Sequence, residues 1–352
     1  MPSQQENVIA VRLRALGDVL ATLDALRAIK KANPDREITY VIDTQYHPLV
    51  ENEPYIDRLL PSPPKARGLR GLLEYVRYVR RFRRLKAGVV LDFHSNTRSA
   101  FLTWLSGAKT RVGYDVKVRK AAYNIVVPRG GAEVLNSAES AMQMASHAGA
   151  APGGPAVLPE MAINPEALEH GAELLATAGF SADDLAAGRV VGFNPGIDRE
   201  TRSWPVAHFV ELGRTLVSRG RKVAVLWGPG EREVAERIAA LAGEGVRLGP
   251  EASLAALPGL VKNLGFLVTT DSGLKHLAVR VRVPTVTIVG STSPREWHIG
   301  TDRDGYLWKE YSCSPCRLND CPIGAPCLSD IRPAEVLEEL HRLGLENDGG
   351  KS

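Results

Sequence analysis

The sequence predicts an α/β protein built from two doubly wound, parallel-sheet domains. Short apolar runs alternate with segments of helical periodicity, the pattern of successive βαβ units. A Gly, Pro and Ala-rich stretch, "AGAAPGGPAVLP" at 148–159, interrupts that alternation, which then starts afresh. The length, 352 residues, suits two domains of ordinary size. The division is placed at residues 1–165 and 166–352.

The elements follow in order. "NVIAVRL" reads as the first buried strand, and "VLATLDALRAIKKAN" as a helix with Pro34 just beyond it. "EITYVID", "AGVVLDF" and the short "TRVGY" are further strands, with a helical "RSAFLTWLSGA" between the last two. After the break come the strands "RVVGFNPG", "KVAVLWGPG", "LGFLVTTD" and "PTVTIVGS". Between them lie the helices "PVAHFVELGRTLVSRG", "EREVAERIAALAG" and "LKHLAVRVR". "PAEVLEELHRLG" closes the pattern, with Pro333 suited to a first helical turn. In such sheets ligands bind at the carboxyl ends of the strands, so the loops there are the places to look.

Composition narrows the classes. Hydrophobic residues make up 44% of the chain, enough for two real cores. No apolar run approaches the roughly 18 residues of a membrane span. "MPSQQENVIAV" lacks a charged segment leading into an apolar one, so a cytoplasmic protein is expected. Net charge is +4 and decides little by itself. Lys65 to Lys86, however, carries many arginines and a single acid, Glu74. Leu72, Leu73, Val76, Val79, Phe82 and Leu85 recur there at three- and four-residue spacing, which predicts an amphipathic helix. Its cationic face is either simply solvated or drawn to an anionic surface such as acidic lipid head groups. No nucleic-acid partner is expected, because no basic pattern interleaved with aromatics is present.

The strand-end loops carry the chemistry. "LRALGD" has one glycine, so neither a dinucleotide fingerprint nor a phosphate-binding P-loop is present there. Asp18 reads two ways: as a helix N-cap, or as a general base. "NPGIDRETRSWP" places Arg199 and Arg202 before a helix start, an arrangement suited to phosphate. Glu231 in "WGPGERE" is either a first-turn acid or an acceptor for a ribose or base. In "TTDSGLKHLA", Asp271 ends a strand, and Ser272 and Gly273 open a helix whose free N–H groups point outward. Gly273 would let a phosphate approach the backbone, and His276 lies one turn further on. Cys313, Cys316, Cys321 and Cys327 have the spacing C-x2-C-x4-C-x5-C. That pattern fits a structural metal, zinc first, with an iron–sulfur cluster, disulfides or plain thiols as alternatives.

Taken together, "VRLRALGDVLATLDALRAIKKANPDREITYVID", "NPGIDRETRSWP", "LWGPGERE", "DSGLKHLAV", "VPTVTIVGSTSPREW" and the cysteine cluster resemble one family. The chain is similar to the heptosyltransferases of glycosyltransferase family 9. That resemblance implies a GT-B architecture, two Rossmann-like domains facing a cleft. It also implies an inverting transfer of heptose from ADP-heptose to an inner-core lipopolysaccharide acceptor, with no cofactor needed for catalysis. The alternatives are another nucleotide sugar or glycan acceptor, or a non-catalytic protein built around a metal knuckle. Position by position, Asp18 matches the family's general base, and Asp271, Ser272, Gly273 and His276 match its donor motif. Arg202 stands where the family usually has lysine, two residues before the tryptophan that Trp204 matches, and the two cations are not interchangeable. Glu231 matches the cleft glutamate, with Glu233 as the alternative register. Asn96 and Arg98 fall on the acceptor side. The implied partners are an ADP-sugar and a lipid-linked saccharide at the inner face of the membrane, where the protein would sit peripherally.

Overall fold

The computed structural model describes residues 7–64, 68–128, 136–151, 160–196, 200–298 and 301–345. Most of the stretch read as a linker, 152–159, lies outside the described residues, and so does Arg199. The chain divides into two compact units, Met1–Val157 and Leu158–Ser352. Residues 160–164 pack with the second unit, where the Met161 N–H donates to the Arg280 carbonyl at 2.9 Å.

The first unit holds β1 (Val8–Val11), β2 (Ile38–Ile42), β3 (Arg58–Pro61), β4 (Val89–Asp92), β5 (Thr110–Tyr114) and β6 (Ile125–Val127). They form one sheet in the order β3-β2-β1-β4-β5-β6, parallel throughout. The second unit holds β7 (Val190–Asn194), β8 (Lys222–Val225), β9 (Val246–Leu248), β10 (Phe266–Thr270), β11 (Thr285–Val289) and β12 (Asp304–Trp308). Its order is β12-β11-β10-β7-β8-β9, again parallel. Central strands β1, β4, β7 and β10 are buried along their whole length, as expected where helices cover both faces of a sheet.

Each sheet reverses its winding once. In the first, the chain runs outward from β1 through β2 to β3, then returns to β4 on the other side of β1. In the second, it runs from β7 to β9, then returns to β10. The carboxyl ends of β1 and β4, and of β7 and β10, therefore diverge into crevices, the usual ligand position in an open α/β sheet. Right-handed crossovers put the Gly68–Arg83 and Thr97–Leu105 helices together on one face of the first sheet.

The Gly68–Arg83 helix departs from its sequence reading. Gly71, Tyr75 and Phe82 are buried, with Tyr78, Val79 and Leu85 packed beside them. Leu72, Leu73 and Val76, expected on that inner face, point outward instead. The inner stripe had room for an aromatic ladder, and Tyr75 stacks on Phe101 of the neighbouring helix at 6.0 Å.

Elsewhere packing is close enough to dictate glycine. The Pro165–Thr177 and Leu257–Lys262 helices meet at Gly171 and Gly259. A Cβ on Gly259 would lie 1.7 Å from the Ala167 carbonyl oxygen, so the contact admits no side chain.

Among the described residues no helix is long and apolar enough to cross a membrane.

Candidate active site

In the first unit, the sequence-chosen residues gather at the crevice between β1 and β4. Asp18 is the third residue of the short Leu16–Ala21 helix. It does not cap that helix. Ala15 occupies the cap position at φ 73°, in the left-handed region, and makes no side-chain cap bond. Instead the Asp18 carboxylate is paired with the Arg12 guanidinium. Arg12 also donates to the Phe93 carbonyl just past β4, at 2.5 Å. One arginine thus ties both lips of the crevice together and fixes the direction of the carboxylate.

The β4 lip is organised by Asp92, which is fully buried. Its carboxylate accepts from the Ser95 N–H at 2.8 Å, the His94 N–H at 3.1 Å and the Tyr123 hydroxyl at 2.8 Å. Burial outweighs these donors and pushes the Asp92 carboxyl up to about 6. Asn96 then caps the Thr97–Leu105 helix: its Oδ1 accepts from the Ser99 N–H at 2.8 Å, and Ser99 Oγ accepts in return from the Asn96 N–H. The amide nitrogen of Asn96 takes no part in this cap. Arg98 is half-buried in the first turn of the same helix.

In the second unit the crevice lies between β7 and β10. Ser272 stands at the N-cap of the Gly273–Arg280 helix but does not cap it. Its hydroxyl donates sideways to Asn194 Oδ1 at 2.8 Å, and Thr269 Oγ1 donates to the same oxygen at 3.1 Å. The first N–H groups of the helix are therefore not taken up by a side-chain cap, and Ser272 and Gly273 are the half-exposed residues there. Across the crevice Gly196 adopts φ 55°, and a Cβ on it would come within 2.5 Å of Thr270 Oγ1. Glu231 folds back so that its Oε2 accepts from the Gly228 N–H at 2.8 Å, 3.5 Å from Asn194 Nδ2. Glu233 is exposed on the following helix.

Positive charge surrounds this helix start. Lys275 is 3% exposed and pairs with Asp271 at 2.5 Å, while Thr292 Oγ1 donates to the other Asp271 oxygen at 2.7 Å. Burial alone would raise the Asp271 carboxyl; the Lys275 ammonium and the two donors outweigh it, and the net shift is downward. Lys275 is itself held below the usual lysine range, first by burial and then by the neighbouring Arg202, against the pull of Asp271. The short contact between them is that of an ionised pair. Arg202 sits half-buried at the end of the Glu200–Arg202 turn, and its Nε has no hydrogen-bond partner among the described residues. Trp204 pins that turn, buried edge-on against Phe209 with its Nε1 donating to the Ile331 carbonyl at 2.9 Å. The second crevice thus offers free helix N–H groups and cations to an anion.

The sequence profile of glycosyltransferase family 9 (heptosyltransferase) matches residues 75–325. The chain belongs to that family. The family 9 chain is 27% identical over 325 residues to lipopolysaccharide heptosyltransferase 1 of Pseudomonas aeruginosa, covering 89% of this chain and 87% of the relative. In fold it matches a family 9 glycosyl transferase from Veillonella parvula with a TM-score of 0.82 at 23% identity, over 97% of this chain and 98% of that one. It also matches the Escherichia coli ADP-heptose LPS heptosyltransferase II, with a TM-score of 0.78 at 20% identity, over 96% and 98% of the two chains. The GT-B class expected from the sequence is the fold of this transferase.

Two features of the transferase were not legible beforehand. Asn194 receives both hydroxyls of the β10 lip, yet in sequence it is one polar residue at a strand end. Lys275 reads in the sequence only as part of a helix; helical spacing places it one turn after Asp271, and that spacing is the available signal.

The cysteine segment plays a different part from the one expected. All four cysteines are free. Among the described residues no group of three or more His, Cys, Asp or Glu is placed to hold a metal ion, so zinc at Cys313, Cys316, Cys321 and Cys327 finds no support. Cys321 and Cys327 instead pack against the apolar core of the second unit. The segment braces the arginine turn: Thr201 Oγ1 donates to the Leu318 carbonyl at 2.5 Å, and the Cys321 N–H donates to Glu200 at 3.2 Å. The Arg317 N–H reaches the Ser291 carbonyl at 2.9 Å.

His276 is 8% exposed and lies edge-on to Trp297 at 6.3 Å. Burial, then the Lys275 charge, pushes it down to about 3. The unfolded chain takes up that proton near pH ~6.5, whereas the folded site does so only near 3. The contribution is complete above the unfolded value and is lost as pH falls through this window, at up to about 1.4 kcal/mol per pH unit. His298, held down to about 4 by burial, adds to the slope with the same sign. Denaturant titrations between neutral pH and pH ~4.5 are expected to show a shallower slope for His276→Gln than for the parent. Equal slopes would mean that His276 is not held neutral.

Proposed function

We propose that the protein is an inverting transferase that moves heptose from ADP-heptose to a lipid-linked saccharide of the lipopolysaccharide inner core. The observation that carries this reading is the uncapped start of the Gly273–Arg280 helix between β7 and β10, with Arg202 and the Asp271–Lys275 pair beside it. Family membership supports it, as do the names of the Pseudomonas and Escherichia relatives.

In this reading the diphosphate lies on the backbone N–H groups of Ser272 and Gly273, with the Arg202 guanidinium beside it. Negative charge that grows on departing ADP is stabilised by groups already aligned, without reorganisation in the transition state. Asp271 does not face the sugar: both of its oxygens are engaged, and it serves by holding Lys275 in place. Glu231 and Asn194 form the wall against the nucleoside. His276 braces the helix from behind. Asp18 takes the proton of the acceptor hydroxyl as that oxygen attacks the anomeric carbon from the side opposite ADP. Arg98 and the amide nitrogen of Asn96 contact the acceptor saccharide. No step is routed through a metal, and the acceptor's lipid keeps the reaction at the inner face of the membrane.

Incubation with ADP-heptose and inner-core lipids of increasing length should give one heptosylated product, with the anomeric configuration inverted by NMR. ADP should raise the unfolding temperature more than UDP or GDP does. Equal protection by all three nucleotides, or a retained configuration, would refute the assignment.

A further inference from the structure

The outward face of the Gly68–Arg83 helix is apolar over its first half and cationic over its second. Successive residues turn by about 100°, so Leu69, Leu72, Leu73 and Val76 share a stripe roughly opposite the buried Gly71, Tyr75 and Phe82. Leu69 is 83% exposed, Leu72 53% and Leu73 58%. Along the same stripe Arg80, Arg83 and, just past the last turn, Arg84 take over, all exposed. Glu74 is the single acid of the helix, and Arg70 pairs with it at 3.3 Å. The neighbouring Thr97–Leu105 helix adds exposed Phe101 and Trp104, stacked at 6.0 Å. Four exposed aliphatics in two turns of one helix form a contiguous apolar patch of the kind that marks an interaction surface.

We infer that this face docks on an anionic lipid bilayer. The charge pattern selects that occupant. A convex ridge with leucines at one end and arginines at the other can sink its apolar half among acyl chains while the guanidiniums reach phosphates. The inference depends on the proposed function only for its purpose, which is to bring the enzyme to a lipid-linked acceptor; the binding itself can be measured without donor or acceptor.

The test is co-sedimentation of the full chain with phosphatidylcholine vesicles, with and without phosphatidylglycerol. The parent should bind the anionic vesicles, and salt should weaken binding. Leu69→Gln/Leu72→Gln/Leu73→Gln should lower vesicle affinity roughly tenfold or more. Arg80→Gln/Arg83→Gln/Arg84→Gln should remove the preference for phosphatidylglycerol. Both variants should keep the parent's unfolding temperature and its transfer to a water-soluble, de-acylated acceptor. Vesicle binding that is absent in the parent, or unchanged in the leucine variant, overturns the inference. So does sedimentation velocity showing that the leucines instead hold two copies of the chain together. Loss of transfer to the soluble acceptor in the parent would strike the proposed function and leave the docking result standing.

Discussion

Asp18→Asn is expected to lower heptosyl transfer by roughly two to four orders of magnitude, the usual contribution of a positioned general base. The substitution keeps the shape of the side chain and its place in the Leu16–Ala21 helix. Arg12 keeps its bond to the Phe93 carbonyl, so the crevice between β1 and β4 should hold together. Asp18 belongs to the first unit and the anion site to the second, and ADP protection against unfolding should therefore be unchanged. The two readouts together make the test sharp. Transfer lost with ADP protection intact supports a base; both lost together would show that Asp18 acts through structure. Transfer retained within about tenfold would assign the proton to another group.

Lys275→Met should be among the most destabilising single changes in the second unit. It removes the ammonium from a nearly fully buried pair and leaves the Asp271 carboxylate with Thr292 as its remaining side-chain donor. Breaking a buried pair by deleting one partner costs about 3–5 kcal/mol, because the other charge stays behind unpaired. Chemical denaturation should register that loss, and calorimetric titration should show weaker ADP binding. Removing both charges in Asp271→Asn/Lys275→Met should restore much of the stability, since a neutral pair needs no compensation. ADP affinity should stay low in the double variant, because the site has still lost a cation beside Arg202. A stable Lys275→Met protein would mean that water reaches Asp271 and that the pair is not closed.

The central strands were legible because burial on both faces leaves an unbroken apolar run, as in "NVIAVRL" and "LGFLVTTD". The strands with no clear sequence signal are β3, β6, β9 and β12, the outer strands of the two sheets. Each is partly exposed, Arg58 and Pro61 in β3 for example, so the apolar signal fades where one neighbour is missing. Candidate positions were legible as loops after a central strand, where Asp18 and Asp271 lie. Their partners were not. Arg12 meets Asp18 through a turn whose cap residue has a left-handed backbone, and Asn194 meets Ser272 from 78 residues away. Periodicity also leaves open which stripe of the Gly68–Arg83 helix faces inward, since both stripes are apolar; the inner one is that of Tyr75, stacked on Phe101, and of Phe82, in the core of the first unit.

Each sheet is wound the same way about its own first strand: two strands to one side, then three to the other. One scaffold is therefore used twice, once with the Asp18 carboxylate in its crevice and once with the uncapped start of the Gly273–Arg280 helix. The difference lies in a few residues after β1 and β4 in one copy, and after β7 and β10 in the other. On the proposed function, preference for the acceptor and preference for the nucleotide sugar are carried on separate stretches of chain. Either can drift during descent without reshaping a strand or disturbing the other, which gives an enzyme of this build a short route to new glycan linkages from an old donor.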